Sequence, residues 1–217
     1  MAGLSLDHIV RVPSGAPDTA EMPLVIVLHG RGADMNDLAD IAPLIDRNYR
    51  FILPNAPFRF EPSPGLGFGC SWFDGWPPTR ASLDQSRAKL LKFIDEVVER
   101  YPTPKGKLVL SGFSQGGVMA FDAGFRTKQK LAAIVSMSGA IFENEVPDPK
   151  EWPKVPILIE HGTSDDMIPV LVARRARRFL ESHGVEPEYH EFSMGHHVTP
   201  ESMDVVASFI EKALKRN

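Results

Sequence analysis

Short aliphatic runs recur along the chain, separated by segments with helical periodicity. Leu24-Val25-Ile26-Val27-Leu28, Phe51-Ile52-Leu53, Leu108-Val109-Leu110, Ala132 to Met137 and Val155 to Glu160 are nearly uninterrupted apolar stretches. Such a run, with no polar alternation, predicts a strand covered on both faces, as in a parallel sheet. Leu6 to Val12 mixes polar and apolar residues and predicts an edge strand, and Glu188 to Phe192 predicts the last strand. Between them lie helical patterns. Asp34 to Ile45 has Asp34 or Asn36 as a cap and Leu38, Ile41 and Ile45 on one face. Ser82-Leu83-Asp84-Gln85 matches a capping box ahead of a stripe made by Leu83, Leu90, Ile94, Val97 and Tyr101, which Pro102 ends. Pro169 opens a further helix that runs to Gly184, and Thr199-Pro200 opens a terminal one that buries Met203, Val206, Phe209 and Ile210. Strands alternating with helices predict the α/β class: one domain over 1–217, a mostly parallel central sheet, helices on both faces.

Two segments break the pattern. Pro54 to Arg80 is crowded with Pro, Gly and aromatic residues, and Gly139 to Trp152 is irregular. A loop as long as the first, inside a compact domain, is characteristically functional or mobile. Arg174, Arg175, Arg177 and Arg178 cluster on one predicted helix, and a solvated face is the reading their spacing favours.

Composition narrows the function classes. The chain has 217 residues, 43% of them hydrophobic, and a net charge of −4, which disfavours nonspecific binding to nucleic acid. The opening residues MAGLSLDHIV lack a basic patch followed by an apolar core, and no apolar run approaches the roughly eighteen residues of a membrane span. Cys70 is the only cysteine, so neither an internal disulfide nor a cysteine zinc cluster can form. These features make a cytoplasmic enzyme the simplest expectation.

The chemistry gathers where strands end. In Lys107 to Gly117, KLVLSGFSQGG, a buried strand gives way within a few residues to an apolar helix. Ser114 stands at the turn between Gly112 and Gly116, where a Cβ at either flank would crowd the backbone. Other strand ends carry His29-Gly30-Arg31-Gly32, Asp165-Asp166 and His196-His197. The chain order Ser, Asp, His is the order that accompanies a serine elbow. A serine hydroxyl needs an imidazole to take its proton, and the imidazole needs a carboxylate to orient it. Ser114 is therefore the expected nucleophile, His196 the base and Asp165 the orienting acid, with His197 and Asp166 the adjacent rivals. Gly195 favours His196 by permitting a tight loop. The backbone N–H groups of Gln115 and Arg31 are the expected oxyanion donors. His29 and His161 each precede a glycine and are expected to bond loop backbone. A metal site is disfavoured, because the sequence has no HExxH pair and adjacent His or Asp residues chelate poorly.

The motifs LHGRGAD, GFSQGG, HGTSDDMIP and MGHHVTPE, in this order over nearly the whole chain, resemble the phospholipase/carboxylesterase family, the small lidless α/β-hydrolases that include acyl-protein thioesterases. The HGRGAD form, with Ala33 before the aspartate, is more similar to the bacterial carboxylesterase branch. The resemblance implies a cofactor-free ester hydrolase on a small-molecule substrate, with Ser114, Asp165 and His196 at the family's catalytic positions and Arg31 and Gln115 at its oxyanion positions. It also implies thioesters or lysophospholipids as further substrates, and by analogy a homodimer. Ser71-Trp72-Phe73-Asp74 resembles the family's SWFD segment beside the acyl pocket. Trp72 and Phe73 are accordingly expected to line that pocket, and Trp76 to pack beneath the loop.

Overall fold

A computed structural model describes residues 3–12, 15, 19–39, 45, 48–61 and 67–216. Nine strands are assigned among them: β1 (His8–Arg11), β2 (Leu24–Leu28), β3 (Arg50–Pro54), β4 (Phe58–Phe60), β5 (Gly69–Ser71), β6 (Leu108–Phe113), β7 (Leu131–Met137), β8 (Ile157–Gly162) and β9 (Glu188–Phe192). The α-helices with bounds among the described residues are α1 (Arg80–Arg100), α2 (Gln115–Gly124), α3 (Val170–Ser182) and α4 (Pro200–Arg216). Seven strands form one sheet in the order β1-β3-β2-β6-β7-β8-β9. Only β1 runs antiparallel to its neighbour, pairing His8 with Pro54 and Arg11 with Phe51.

Strict alternation explains why the aliphatic strands need helices on both sides. Leu24, Ile26 and Leu28 point into a core with Leu110, Ile134 and Ile159 beneath α1, α2 and α3. Val25 and Val27 point the other way, into a core with Val109, Val135 and Leu158 beneath Met203, Val206, Phe209 and Ile210 of α4. The sheet order reverses direction between β2 and β6, which pair in register from Leu24↔Leu108 to Leu28↔Gly112. In an open parallel sheet the crevice beyond such a switch point is where ligands bind. Here it receives the loop that begins at His29 and the turn that carries Ser114.

Several boundaries differ from the sequence reading. Helix α1 starts at Arg80, with Thr79 as its N-cap, the Thr79 hydroxyl accepting from Ser82 N. Ser82 therefore lies inside the first turn rather than capping it, and its own hydroxyl donates to Asp74 at 2.8 Å. The irregular 54–80 segment contains a β4–β5 hairpin, pairing Phe58 with Ser71 and Phe60 with Gly69. Of the helix expected over Asp34–Ile45, residues 40–44 lie outside the described set, and 35–39 form turns. The arginines of α3 are paired or solvated as expected: Arg174 grips Glu191 at 2.7 and 2.6 Å, and Arg175 pairs with Glu143. No helix among the described residues is long and apolar enough to cross a membrane.

Candidate active site

Ser114 sits between β6 and α2 with φ 55° and ψ −119°, a left-handed conformation that costs a non-glycine residue on the order of 1–3 kcal/mol. The surroundings hold it there. Its N–H donates to Met137 O at 2.9 Å, which ties the turn to the end of β7. A Cβ on Gly112 would overlap the Gly116 carbonyl, and one on Gly116 would overlap the Leu28 carbonyl at the end of β2. Backbone thus packs directly on backbone around the serine, which is why both flanks must be glycine. Helix α2 is anchored at its far side by Arg87, which grips Asp122 through Nε and Nη2, both at 2.8 Å.

The Ser114 hydroxyl lies 2.9 Å from His196 Nε2, and His196 Nδ1 lies 2.7 Å from Asp165 Oδ2. The other Asp165 oxygen accepts from the amides of Met167 and Ile168 at 3.0 and 2.8 Å. Burial opposes ionisation of Asp165, but the Ile168 amide and His196 outweigh it and hold its pKa below the ordinary carboxylate value. An ionised Asp165 accepts from Nδ1–H, so Nε2 faces Ser114 unprotonated, as a base must. The rivals are placed elsewhere: His197 and Asp166 are both exposed. His161 sends Nε2 to the Ile168 carbonyl at 2.7 Å and lies 3.4 Å from Asp165, buttressing the acid loop.

The glycine expected to shape the histidine loop is not the one that does so. Gly195 does not have a left-handed φ, and a Cβ there would meet nothing closer than 3.5 Å. The glycine that admits the loop is Gly162, at the end of β8, where a Cβ would overlap the carbonyls of Met194 and Gly195.

Across the crevice, a Cβ on Gly30 would come within 3.4 Å of that of Ser114, so the His29–Gly32 loop passes directly beside the hydroxyl. Ala56 N donates to His29 Nε2 at 3.0 Å, which leaves the proton on Nδ1 to be donated to Gly30 O at 2.7 Å. Burial, only partly offset by the bond to Gly30, lowers the His29 pKa and keeps the ring neutral. Gly30 C=O and Arg31 N–H belong to one trans peptide, so fixing the carbonyl also fixes the opposite direction of the Arg31 N–H. Gln115 opens α2, where helical bonding leaves the first amides free for an anion. The Arg31 side chain stacks on Phe60, 4.4 Å from the ring centroid.

A model of the phospholipase/carboxylesterase family matches residues 13–214. The chain belongs to the phospholipase/carboxylesterase family. Acyl-protein thioesterase 1 of Kluyveromyces lactis is 28% identical, with 96% of this chain and 98% of that protein covered. Its counterpart from Neurospora crassa is 27% identical over 100% and 96%. Among solved structures, esterase PE8 superposes with a TM-score of 0.81 at 28% identity, covering 98% of this chain and 100% of that one. The Bacillus cereus carboxylesterase, at 18% identity over 96% and 94%, shares the fold with a TM-score of 0.78. A family of this kind makes the chain an α/β-hydrolase acting on esters.

Two aromatic expectations are reversed by the structure. Trp72 and Phe73 are fully buried and present no surface to a ligand, whereas Trp76 is 47% exposed. Trp76 lines a cleft of about 390 Å³ with Leu83, Ile141, Phe142 and Val172. Phe73 supports that wall from below, its ring 5.9 Å from Phe142 and 6.3 Å from Trp76. Trp72 instead spends its indole N–H on His29 O at 3.0 Å. Periodicity could not separate these roles, because all three aromatics fall in a segment with no repeat. Sequence reasoning also missed the Gln115 side chain, which a motif reads only through its backbone.

Proposed function

We infer that the protein is a serine carboxylesterase that hydrolyses short- to medium-chain esters through an acyl-Ser114 intermediate. The observation that carries this reading is the unbroken relay from Ser114 Oγ through His196 to Asp165, at 2.9 and 2.7 Å. His196 Nε2 takes the hydroxyl proton as Ser114 Oγ bonds to the ester carbonyl carbon, and Asp165 stabilises the imidazolium that forms. The tetrahedral oxyanion is received by the N–H groups of Arg31 and Gln115; a donor of this kind is worth roughly 3 kcal/mol. His196 then protonates the departing alkoxide, and the same ring activates the water that releases the acid. The whole chain serves as one catalytic domain, without a cofactor, and a cytoplasmic setting suits its single cysteine.

The cleft at Trp76 mixes apolar residues, Leu83, Ile141, Phe142 and Val172, with charged ones, Arg80, Glu143 and Arg175, and its apolar part is the surface offered to an acyl chain. Its lining includes neither Ser114 nor His196; Ala140, which does line it, follows Gly139, whose Cα would lie 3.1 Å from a Cβ on Gly117 of α2. Thioesters form the second reading, favoured by the curated relatives named acyl-protein thioesterase 1. The same relay serves both, since thiolate leaves more readily than alkoxide. Oxygen esters and thioesters of one graded acyl series, assayed side by side, decide between them. Ser114→Ala is expected to slow turnover by about 10⁴- to 10⁶-fold on whichever class is used. His197→Ala and Asp166→Asn are expected to stay within a few-fold of wild type. Retained turnover in Ser114→Ala would reject the acyl-serine mechanism.

A further inference from the structure

The geometry points to a positioning role for the Gln115 side chain: acting through Trp72, it locks the two oxyanion amides into one rigid unit. This rests on the acyl-Ser114 reading, because only that chemistry gives the amides an oxyanion to hold. Gln115 contributes its backbone N–H to one side of the oxyanion site, while its side chain is buried and directed away from it. Oε1 accepts from Trp72 N at 2.9 Å and lies 3.0 Å from the Ser71 hydroxyl, and Nε2 donates to Phe73 O at 3.0 Å. The amide orientation is dictated by its partners. A backbone N–H can only donate and a carbonyl can only accept, so the flipped amide would oppose like groups at both ends.

From Trp72 the connection continues to the second donor. Its indole Nε1–H donates to His29 O at 3.0 Å, and His29 Nδ1–H in turn fixes the Gly30 carbonyl at 2.7 Å. That carbonyl shares a peptide plane with the Arg31 N–H. Ser86 adds a further bond, its hydroxyl donating to Trp72 O and pinning the segment to α1. A single buried path therefore runs from the residue that supplies one donor to the peptide that supplies the other. The side chains that carry it, Gln115, Trp72 and His29, each have less than a tenth of their surface exposed. Donors fixed in advance cost no reorganisation when charge develops, which is where a preorganised site gains its rate. No substrate atom needs to touch Gln115 Oε1, Nε2 or the Trp72 indole for this to operate.

The variants that test it are Trp72→Phe, which keeps most of the bulk and loses the indole N–H, and Gln115→Glu, which keeps the shape but sets a carboxylate oxygen against the Phe73 carbonyl. Gln115→Ala and the Gln115→Ala/Trp72→Phe double variant complete the set. The readouts are kcat and KM on a p-nitrophenyl ester, and inhibition by an alkyl boronic acid, whose tetrahedral adduct on Ser114 mimics the intermediate. The Gln115 variants should turn over at least about tenfold more slowly than wild type, and Trp72→Phe should slow turnover by less. KM should hold, boronate affinity should drop in parallel with the turnover rate, and the double variant should lose little more than the worse single one. Wild-type turnover and boronate affinity in folded Trp72→Phe and Gln115→Glu would overturn the proposal. So would a raised KM with kcat intact, which marks a role in shaping the pocket alone. Ser114→Ala, run alongside, separates the two readings: if it still turns over, the acyl-serine mechanism fails; if it is inactive while the other variants behave as wild type, only the positioning role fails.

Discussion

The two walls that flank Ser114 draw on two means in different proportion. The elbow wall, from β6 into α2, is built by leaving side chains out: the backbone at Gly112 and Gly116 packs directly on neighbouring carbonyls. The facing wall, from the His29 loop through the β4–β5 hairpin to Phe73, has one such contact, Gly69 against the Gly32 carbonyl, and is otherwise built by satisfying polar groups. Gly32 N donates to Cys70 O at 2.8 Å, Cys70 N to Ala33 O at 2.7 Å, and Gln115 and Trp72 span the remaining gap. A wall of the first kind tolerates no added atom, whatever its chemistry. Away from Gly69, one of the second kind tolerates changes in size better than changes in donor and acceptor pattern, because a buried polar group left without a partner costs about 1–3 kcal/mol.

The severest break of this contrast is Gly116→Ala. The new methyl would have to occupy the position of the Leu28 carbonyl oxygen, and neither β2 nor α2 can retreat without opening the sheet. A loss above about 4 kcal/mol is expected, enough to unfold a domain of ordinary stability. Urea denaturation measures it, and a variant within about 1 kcal/mol of wild type would show that the elbow is softer than its packing implies.

Glu160 sharpens the other half. It lies in β8, fully buried, and neither carboxyl oxygen has a hydrogen-bond partner at normal distance. Burial pushes its pKa up to about 8, the Ser202 hydroxyl pulling it back only in part. The folded protein therefore holds a neutral acid at pH 7, while the unfolded chain ionises near the ordinary value of 4.5. Its stabilising contribution is complete below about pH 4.5, falls as pH rises, and is lost once pH passes about 8, a swing on the order of 5 kcal/mol. Glu160→Gln removes the ionisation. Its stability relative to wild type should climb between about pH 5 and pH 8 and then level off. Parallel stability curves for the two proteins would mean that Glu160 is solvated or paired.

Each wall also differs in what its sequence discloses. The elbow was legible because its physics is local: an aliphatic strand, two glycines and an apolar helix lie close together in consecutive residues. Ser114, Asp165 and His196 could be placed together because parallel strands bring their carboxyl ends to one edge. The polar wall was not legible in the same way. Strands β4 and β5 are only three residues each, too short for periodicity to register, and beyond their mutual pairing β5 bonds to loop backbone at Gly32 and Ala33. Thr79 caps α1 in place of the better-patterned Ser82 because Asp74 accepts from the Thr79 hydroxyl at 2.6 Å, a contact no helix-start rule contains. Trp72, Phe73 and Trp76 are equivalent as aromatics in a loop; only the path of the chain decides that the first two are buried and the third faces the cleft.

Gly195 gives the mildest test and the sharpest separation of motif from mechanism. It precedes the base directly, and on sequence alone it invites the role of hinge for the His196 loop. Its backbone does not need glycine, and the nearest atoms to an added Cβ belong to the exposed His197 ring at 3.5 Å. The close approach that seats His196 is made instead by Gly162, far earlier in the chain. Gly195→Ala should therefore stay within about 1 kcal/mol of wild-type stability, since a replacement compatible with the local backbone chiefly reduces the freedom of the unfolded chain. Its turnover should stay within a few-fold of wild type, whereas Gly162→Ala, which must displace the Met194 and Gly195 carbonyls, should move His196 off Ser114 and slow the enzyme far more. Urea denaturation beside the assay separates displacement of the base from general destabilisation. A moved His196 loses its hydrogen bonds to Ser114 and Asp165, so turnover per folded molecule falls in Gly162→Ala and holds in Gly195→Ala. Equal losses in the two variants would return the hinge to Gly195.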